Sequence, residues 1–247
     1  MNFSTVIGIF LGIVAIFGGN ILEGGKSSSI LQPTAAVIVF GGTLGATMLS
    51  YPLKDIFGAV AALKEVFGED RIDPEYYINE ILKCSTITRK HGVMALEAEI
   101  QSIEDPFFKK ALNLAVDGIP SDMLKDIMYQ ENAVYAEQKR RIAKVFETAG
   151  GFAPTIGIIG AVLGLIHVME NLAEPSKLGA GIAVAFVSTI YGVGSANILL
   201  LPVSKKILNR LEEEISLREM IIKGILAIQA GKNPYYIEQL LRTHVRS

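Results

Sequence analysis

The stretches TAGGFAPTIGIIGAVLGLIHVM (Thr148–Met169) and LGAGIAVAFVSTIYGVGSANILLLPVS (Leu178–Ser204) decide how this chain folds. The first carries His167 as its one basic group, and the second has no Asp, Glu, Lys, Arg or His. A bilayer core of about 30 Å needs about 20 apolar residues of helix, so each stretch is long enough to cross it. Met1–Leu22 and Ser27–Leu53 are equally free of charged side chains. A Lys or Asp at the centre of a span costs about 2.5–3.5 kcal/mol on insertion scales, so four such blanks mark four transmembrane helices. The competing reading, helices buried in a large soluble core, calls for polar faces that these blanks lack. The first blank has no Lys/Arg n-region and no A-x-A site before Gly19, and reads as a retained span rather than a cleaved signal peptide.

Of the 23 Lys and Arg residues, 13 lie in Lys54–Glu147 and 8 in Lys205–Ser247, with one in each remaining connection. The positive-inside rule puts the middle block, the tail and both termini in the cytoplasm. The predicted fold is all-α: a polytopic membrane protein with four transmembrane helices and a helical cytoplasmic domain. Spans one and two with a short outer loop occupy 1–53, the cytoplasmic domain 54–147, spans three and four 148–203, and a cytoplasmic helical tail 204–247. Ile56–Phe67 predicts a helix ending at Gly68, and Pro74 opens another through Tyr76, Ile78, Ile81 and Leu82. Pro120 and Ser121 begin a third, with Ser121 as its N-cap, running almost into span three. A charged helix leaves span four through Leu208, Leu211 and Ile215.

The composition excludes several classes. A net charge of −2 in 247 residues gives no basic field for nucleic acid. The single Cys84 cannot pair within the chain, and the three histidines are scattered, so no metal site is expected. Ion carriers that act alone place an ionisable group at mid-membrane, and here no span has one at its centre. His167, near the outer end of span three, reads as a packed histidine donating to a carbonyl sooner than as a proton relay. A conducting role therefore requires a carboxylate from another chain.

The spans are rich in small residues instead. Gly8/Gly12, Gly41/Gly45 and Gly160/Gly164 are G-x-x-x-G pairs, and Gly192/Ala196 is a small-x-x-x-small pair, spacings that let helix backbones approach closely. Pro154 and Pro202 stand at the cytoplasmic ends of spans three and four, where each can kink its helix or simply be tolerated. By helical spacing Pro154, Gly157, Ala161, Gly164 and Val168 share a face, as do Ala185, Thr189, Gly192 and Ala196. Two smooth stripes with one hydroxyl suit a sliding helix neighbour or a narrow wet path. Spacing leaves open whether Thr189 lines that path or bonds its own i−4 carbonyl.

GGFAPTIGIIGAVLGLIHVMENL (Gly150–Leu172) followed by LGAGIAVAFVSTIYGVGSANILLLP (Leu178–Pro202) resembles the MotA/PomA flagellar stator subunits. RKHGVMALE (Arg89–Glu97), NLAVDGIPSDMLKDIM (Asn113–Met128) and LREMIIKGILAIQAGKNP (Leu217–Pro234) extend the likeness over nearly the whole chain. The resemblance implies a pentameric ring around a MotB-type single-span partner that supplies the ion-carrying Asp, set among lipid in the bacterial inner membrane. It also implies torque on the rotor protein FliG, no enzymatic chemistry and no cofactor. By position, Pro154 and Pro202 match the coupling prolines, Thr189 the threonine facing the ion path, and Arg89 and Glu97 the rotor-binding charges. Lys90 and Glu99 lie beside that pair and could share its work; without the resemblance these charges read as a solvated helix face. Sodium-driven relatives are similar except for a second threonine where Ala161 stands. Sodium needs oxygen ligands where a proton needs a carboxylate and water, so Ala161 points to proton coupling over sodium. An ExbB/TolQ-like energiser of outer-membrane processes is the alternative, although such proteins generally have three spans. A self-contained channel is the other rival, and the missing carboxylate argues against it.

Overall fold

The computed structural model describes residues 3–25, 27–68 and 73–245, and the chain is almost wholly helical, with no strand among those residues. Four helices are long and apolar enough to cross a bilayer: Ser4–Leu22, Pro33–Ser50, Ser121–Glu170 and Pro175–Gln229. The last two have 50 and 55 residues. At 1.5 Å per residue, each far exceeds a bilayer core. The helix expected to approach span three thus runs through it without a break, and span four continues unbroken into the tail. Two compact units result: Met1–Asp70 with Lys139–Leu208, and Arg71–Gln138 with Asn209–Ser247.

The first unit holds the spans. Span two contains a π-helical stretch, Val37–Gly41, and stops at Tyr51, whose extended backbone is what a following proline requires. The Tyr51 hydroxyl donates to Lys144 O at 3.2 Å and shares a 2.8 Å bond with Thr148 Oγ1. After Pro52 the chain re-enters a helix, Leu53–Phe67, stopped by Gly68 as expected and begun three residues before Ile56. Its buried Ala62 and Val66 pack with Ala143, Val203 and Ile207, and Lys139 pairs with Glu65. Ser204 Oγ donates to Ala143 O at 2.9 Å, tying span four to the helix that enters span three. Farther out, the Tyr191 hydroxyl donates to Ile30 O at 2.6 Å and its ring stacks on Phe40, so span four holds the start of span two.

In the second unit, Asp73 caps Pro74–His91 by accepting from Glu75 N at 3.1 Å. Gly92, at φ +83°, turns the chain after that helix in a conformation few other residues adopt. Asp105 caps Pro106–Val116, accepting from Phe108 N at 2.7 Å while its other oxygen accepts from Tyr77 Oη at 3.0 Å. Both helices place Ile78, Ile81, Phe108 and Leu112 in one core with Met128, Ile221 and Ile225. Arg218 lies between Phe107 and Tyr135, 4.6 and 3.6 Å from their ring centres. Ser121 does not cap its helix as the sequence suggested. It is the first helical residue after Pro120, and its hydroxyl donates to Gln229 Oε1 at 3.0 Å.

Candidate functional site

Spans three and four meet along their glycines. A Cβ on Gly157 would lie 2.8 Å from Ser188 O and 3.3 Å from Gly192 Cα. One on Gly164 would lie 2.7 Å from both Ala185 N and Gly181 O, and one on Gly192 2.5 Å from Ala153 O. The obstacles are backbone atoms, so only glycine fits. Most of the two stripes expected to form a smooth lining for a sliding neighbour are therefore consumed inside the chain, as the seam between its own spans. Of the G-x-x-x-G pairs, Gly160/Gly164 works in this seam and Gly192 faces it from span four. Gly41 and Gly45 are exposed, and a Cβ added at either would meet nothing within 4 Å beyond its own helix.

The seam fixes where the candidate ion-path residues point. Gly160 meets Ser188, whose Oγ lies 2.6 Å from the place a Cβ would take. Ala161 and Thr189 are each one residue further along. Because the spans are antiparallel, a step of about 100° past the contact on each helix turns to the same side of the pair. Ala161 and Thr189 thus share a level and a side, Ala161 half-buried and Thr189 exposed. On its own helix Thr189 sits between exposed Phe186 and Val193, a hydroxyl in an apolar stripe. It donates to Ala185 O at 3.4 Å, longer than an ordinary O–H···O bond and readily exchanged for another acceptor. Ser188, fully buried beside it, has no partner for its hydroxyl within the chain.

The prolines are not level with one another. Pro154 follows Ala153, which abuts Gly192, whereas Pro202 lies ten residues beyond Gly192, about 15 Å along the helix. Pro154 is taken into a continuous helix. Pro202 follows the π-helical stretch Ser195–Leu200, where Ser195 Oγ and Asn197 Nδ2 bond the carbonyls of Gly192 and Val193. That stretch was not foreseen; a proline after a Ser/Asn pair that can bond carbonyls is the one sequence feature pointing to it. His167 is exposed, with its carbonyl bound by Asn171 Nδ2, and is not the packed histidine expected.

The charged cluster straddles the turn at Gly92. Arg89 and Lys90 end the Pro74–His91 helix and Glu97 opens the next turn, Glu97–Ile100; all three are exposed. Glu99 is half-buried and ion-paired to Lys83, whose pKa this carboxylate pushes up. Beneath them Cys84 is fully buried, and burial raises its thiol pKa to about 12, so it is no nucleophile. No group of three His, Cys, Asp or Glu capable of holding a metal exists among the described residues.

Four spans without an acid of their own, a glycine seam and the Thr189 hydroxyl exposed in an apolar stripe define a membrane subunit of the ion-channel type. Residues 99–220 match the model of the MotA/TolQ/ExbB proton channel family, and residues 6–92 match that of the motility protein A N-terminal region. Motility protein A of Bacillus subtilis is 34% identical over 242 residues, covering 98% of this chain and 90% of that protein. Among solved structures, C. jejuni MotAB superposes with a TM-score of 0.94 at 30% identity, covering 99% of this chain and 96% of that one. The flagellar MotAB stator complex from Bacillus subtilis gives 0.91 at 33%, covering 98% and 95%. The chain belongs to the motility protein A group of the MotA/TolQ/ExbB proton channel family.

Proposed function

We propose that this chain is the ring-forming subunit of a flagellar stator, which with a MotB-type single-span partner converts ion flow into torque on the rotor. The observation that carries this reading is an acid-free pair of spans presenting Thr189 as a lone hydroxyl in an apolar exposed stripe. Such a surface can guide an ion but cannot bind and release one, so the partner's Asp does that work. Likeness to MotAB complexes over nearly the full chain supports the same assignment. The match of residues 6–92 to the motility protein A N-terminal model disfavours the ExbB/TolQ-like alternative.

In this reading the ring is a pentamer in the bacterial inner membrane with both termini in the cytoplasm, as the lysine and arginine distribution suggests. Protons entering from outside neutralise the partner's Asp beside Thr189 and leave to the cytoplasm. Neutralisation removes the carboxylate's preference for a polar contact, and the ring steps around the central helices. Ala161 beside Thr189 leaves one hydroxyl where sodium would need more oxygen ligands. Pro154 and Pro202 couple the step to the cytoplasmic helices, and Arg89 and Glu97 engage FliG. Lys90 is exposed enough to join them, whereas Glu99, held by Lys83, contributes less. No covalent bond is made or broken, no cofactor or metal is used, and the protein is not an enzyme.

The test is expression with a MotB-type partner in a host lacking its own stator, with swimming measured against proton and sodium gradients separately. Speed should follow the proton gradient, Thr189→Ser should retain most of it, and Thr189→Val should lose it. Selective current from the chain reconstituted without a partner would overturn the proposal.

A further inference from the structure

The helix that follows span two crosses the helix of span three instead of running beside it. Tyr51 ends span two with extended backbone, and Leu53–Phe67 begins after Pro52. Along that helix Asp55 lies 4.0 Å from Arg141, a Cβ on Gly58 would lie 3.6 Å from Ile142 Cδ1, and Glu65 pairs with Lys139. Asp55 to Glu65 is ten residues, about 15 Å of helix, yet the partners stay between Lys139 and Ile142, about 5 Å of the helix that becomes span three. The crossing is therefore steep, and Leu53–Phe67 lies along the membrane plane. Ile142 is six residues before Thr148, where the charge-free stretch begins, which puts the crossing about 9 Å outside the hydrocarbon, at headgroup depth.

The residues of this helix are sorted by face. Ala59, Ala62 and Val66 are buried, and both acids, Asp55 and Glu65, stand beside basic residues of span three's helix. The opposite face carries Leu53, Phe57 and Val60 at i, i+4 and i+7, each more than half exposed. Lys64 continues that line at i+11 and Lys54 borders it, both exposed. We propose that Leu53–Phe67 is a membrane-surface anchor, with Leu53, Phe57 and Val60 inserted among the acyl chains of one leaflet and Lys54 and Lys64 at anionic headgroups. An apolar stripe edged by lysine on a helix in the interface plane is what such a surface accepts, because the lysine stem lies on hydrocarbon while the ammonium reaches phosphate. Apolar exposure continues into the stripe from Leu44, Met48 and Leu49 at the end of span two. A second copy of the chain fits this face less well: lysine is depleted at the cores of interfaces between proteins, and Lys64 lies in the line of the stripe itself. That the leaflet is the cytoplasmic one rests on the orientation proposed above; the anchor itself does not.

The chain contains no tryptophan, so one introduced at Phe57 reports its own surroundings. The test uses Phe57→Trp in the complex with a partner whose own tryptophans are replaced, held in nanodiscs of equal parts phosphatidylglycerol and phosphatidylcholine. Fluorescence should be quenched by lipid brominated on the upper acyl chain and little by iodide in the water, and Val60→Trp, a turn along the same face, should behave alike. Brominated phosphatidylglycerol should quench more than brominated phosphatidylcholine. Lys54→Gln and Lys64→Gln should each reduce that preference, by up to about five-fold for a lysine at the membrane surface, and the double variant should lose it. Quenching by iodide alone would mean that the face stands in water, and protection from both quenchers would mean that a protein chain covers it; either overturns the proposal, as does a preference unchanged in the double variant. Because the readout is lipid contact, failure of the stator reading would leave this result untouched, and torque generation without lipid contact would defeat the anchor alone.

Discussion

Adding one methyl to the seam between spans three and four is the sharpest test of how this protein is built. A Cβ on Gly192 would sit 2.5 Å from Ala153 O, and contact becomes ordinary only at 3.4 Å, so the helices must part by about 0.9 Å. On Gly157 the closest atom is 2.8 Å away and the required separation about 0.6 Å. Both obstacles are backbone, which has no rotamer to move aside. On Gly12 the obstacle is the Ile198 side chain at 3.2 Å, which has. Overpacking costs about 1–3 kcal/mol, and a radial gap of 0.5–1 Å forfeits a quarter to a half of each neighbouring contact. Gly192→Ala should therefore destabilise most, toward the upper end of that range, followed by Gly157→Ala, with Gly12→Ala below 1 kcal/mol. Gly194→Ala, which meets nothing within 4 Å in this chain, is the control. It should be neutral or gain up to about 1 kcal/mol from helix propensity. Thermal unfolding of the complex reconstituted with its partner measures all four. A Gly192→Ala complex that melts with the control would refute a seam closed at backbone contact.

Asp105→Ala removes both the cap of Pro106–Val116 and the acceptor of the Tyr77 hydroxyl, and should cost about 1–2 kcal/mol in chemical denaturation. The Cys84 thiol keeps its proton in the folded chain until about pH 12, while unfolded it loses it above the ordinary value of 9.0. Its contribution is therefore full below about pH 9 and is lost as pH rises toward 12; Cys84→Ala should flatten that decline in melts recorded from pH 8 to 11, and maleimide should label Cys84 only after denaturation. Ser188→Ala deletes a buried hydroxyl with no partner in the chain and should leave stability unchanged or raise it by about 1 kcal/mol, whereas a loss would reveal an acceptor supplied on assembly. Ala161→Thr, with a sodium-type partner, should make swimming respond to sodium, since the new hydroxyl would stand at the level and on the side of Thr189; insensitivity to sodium would mean that oxygen count does not set the ion.

The spans were legible because charge is so expensive in a bilayer that membrane burial leaves its mark as an absence of charge over some 20 residues, which a soluble helix with a solvated face does not show. Helices outside the charge-free spans are legible where local chemistry marks an end, as at Pro74 and Gly68. Ser121 failed because its position beside Gln229 is tertiary: a hydroxyl competes among partners, and sequence does not say which is near. The small-residue stripes are real contact faces, but most of them do not form the sliding lining that their spacing also suits. A period of three to four identifies a face, yet it does not tell which neighbour covers it, and the neighbour proved to be the chain's own next helix. Thr189 and Ala161 were noticed as chemistry, while their common side depends on the antiparallel register set by Gly160 and Ser188. The π-helical stretch before Pro202 departs from the regular period on which sequence patterns rely, and only the Ser195/Asn197 pair ahead of that proline hints at it.

The seam also limits where motion can occur. One charge crossing 100 mV supplies about 2.3 kcal/mol, no more than the cost of prying apart helices packed at backbone contact. Sliding span three against span four would lose many such contacts at once, so the pair moves as one body. Compliance must lie where the helix ladder is already irregular or where the chain's faces are uncovered. Within the chain the first condition is met at Val37–Gly41 and at Ser195–Leu200, the latter just before Pro202, where side chains add to the backbone bonding. The second is met on the side carrying Thr189, Phe186 and Val193. Restoring a regular ladder with Pro202→Ala should therefore leave ion flow through the assembled complex nearly intact while reducing torque, measured as the stall load of single tethered motors. Equal loss of flow and torque would mean that Pro202 shapes the path itself, and unchanged torque would mean that the irregular stretch is not where the helix yields.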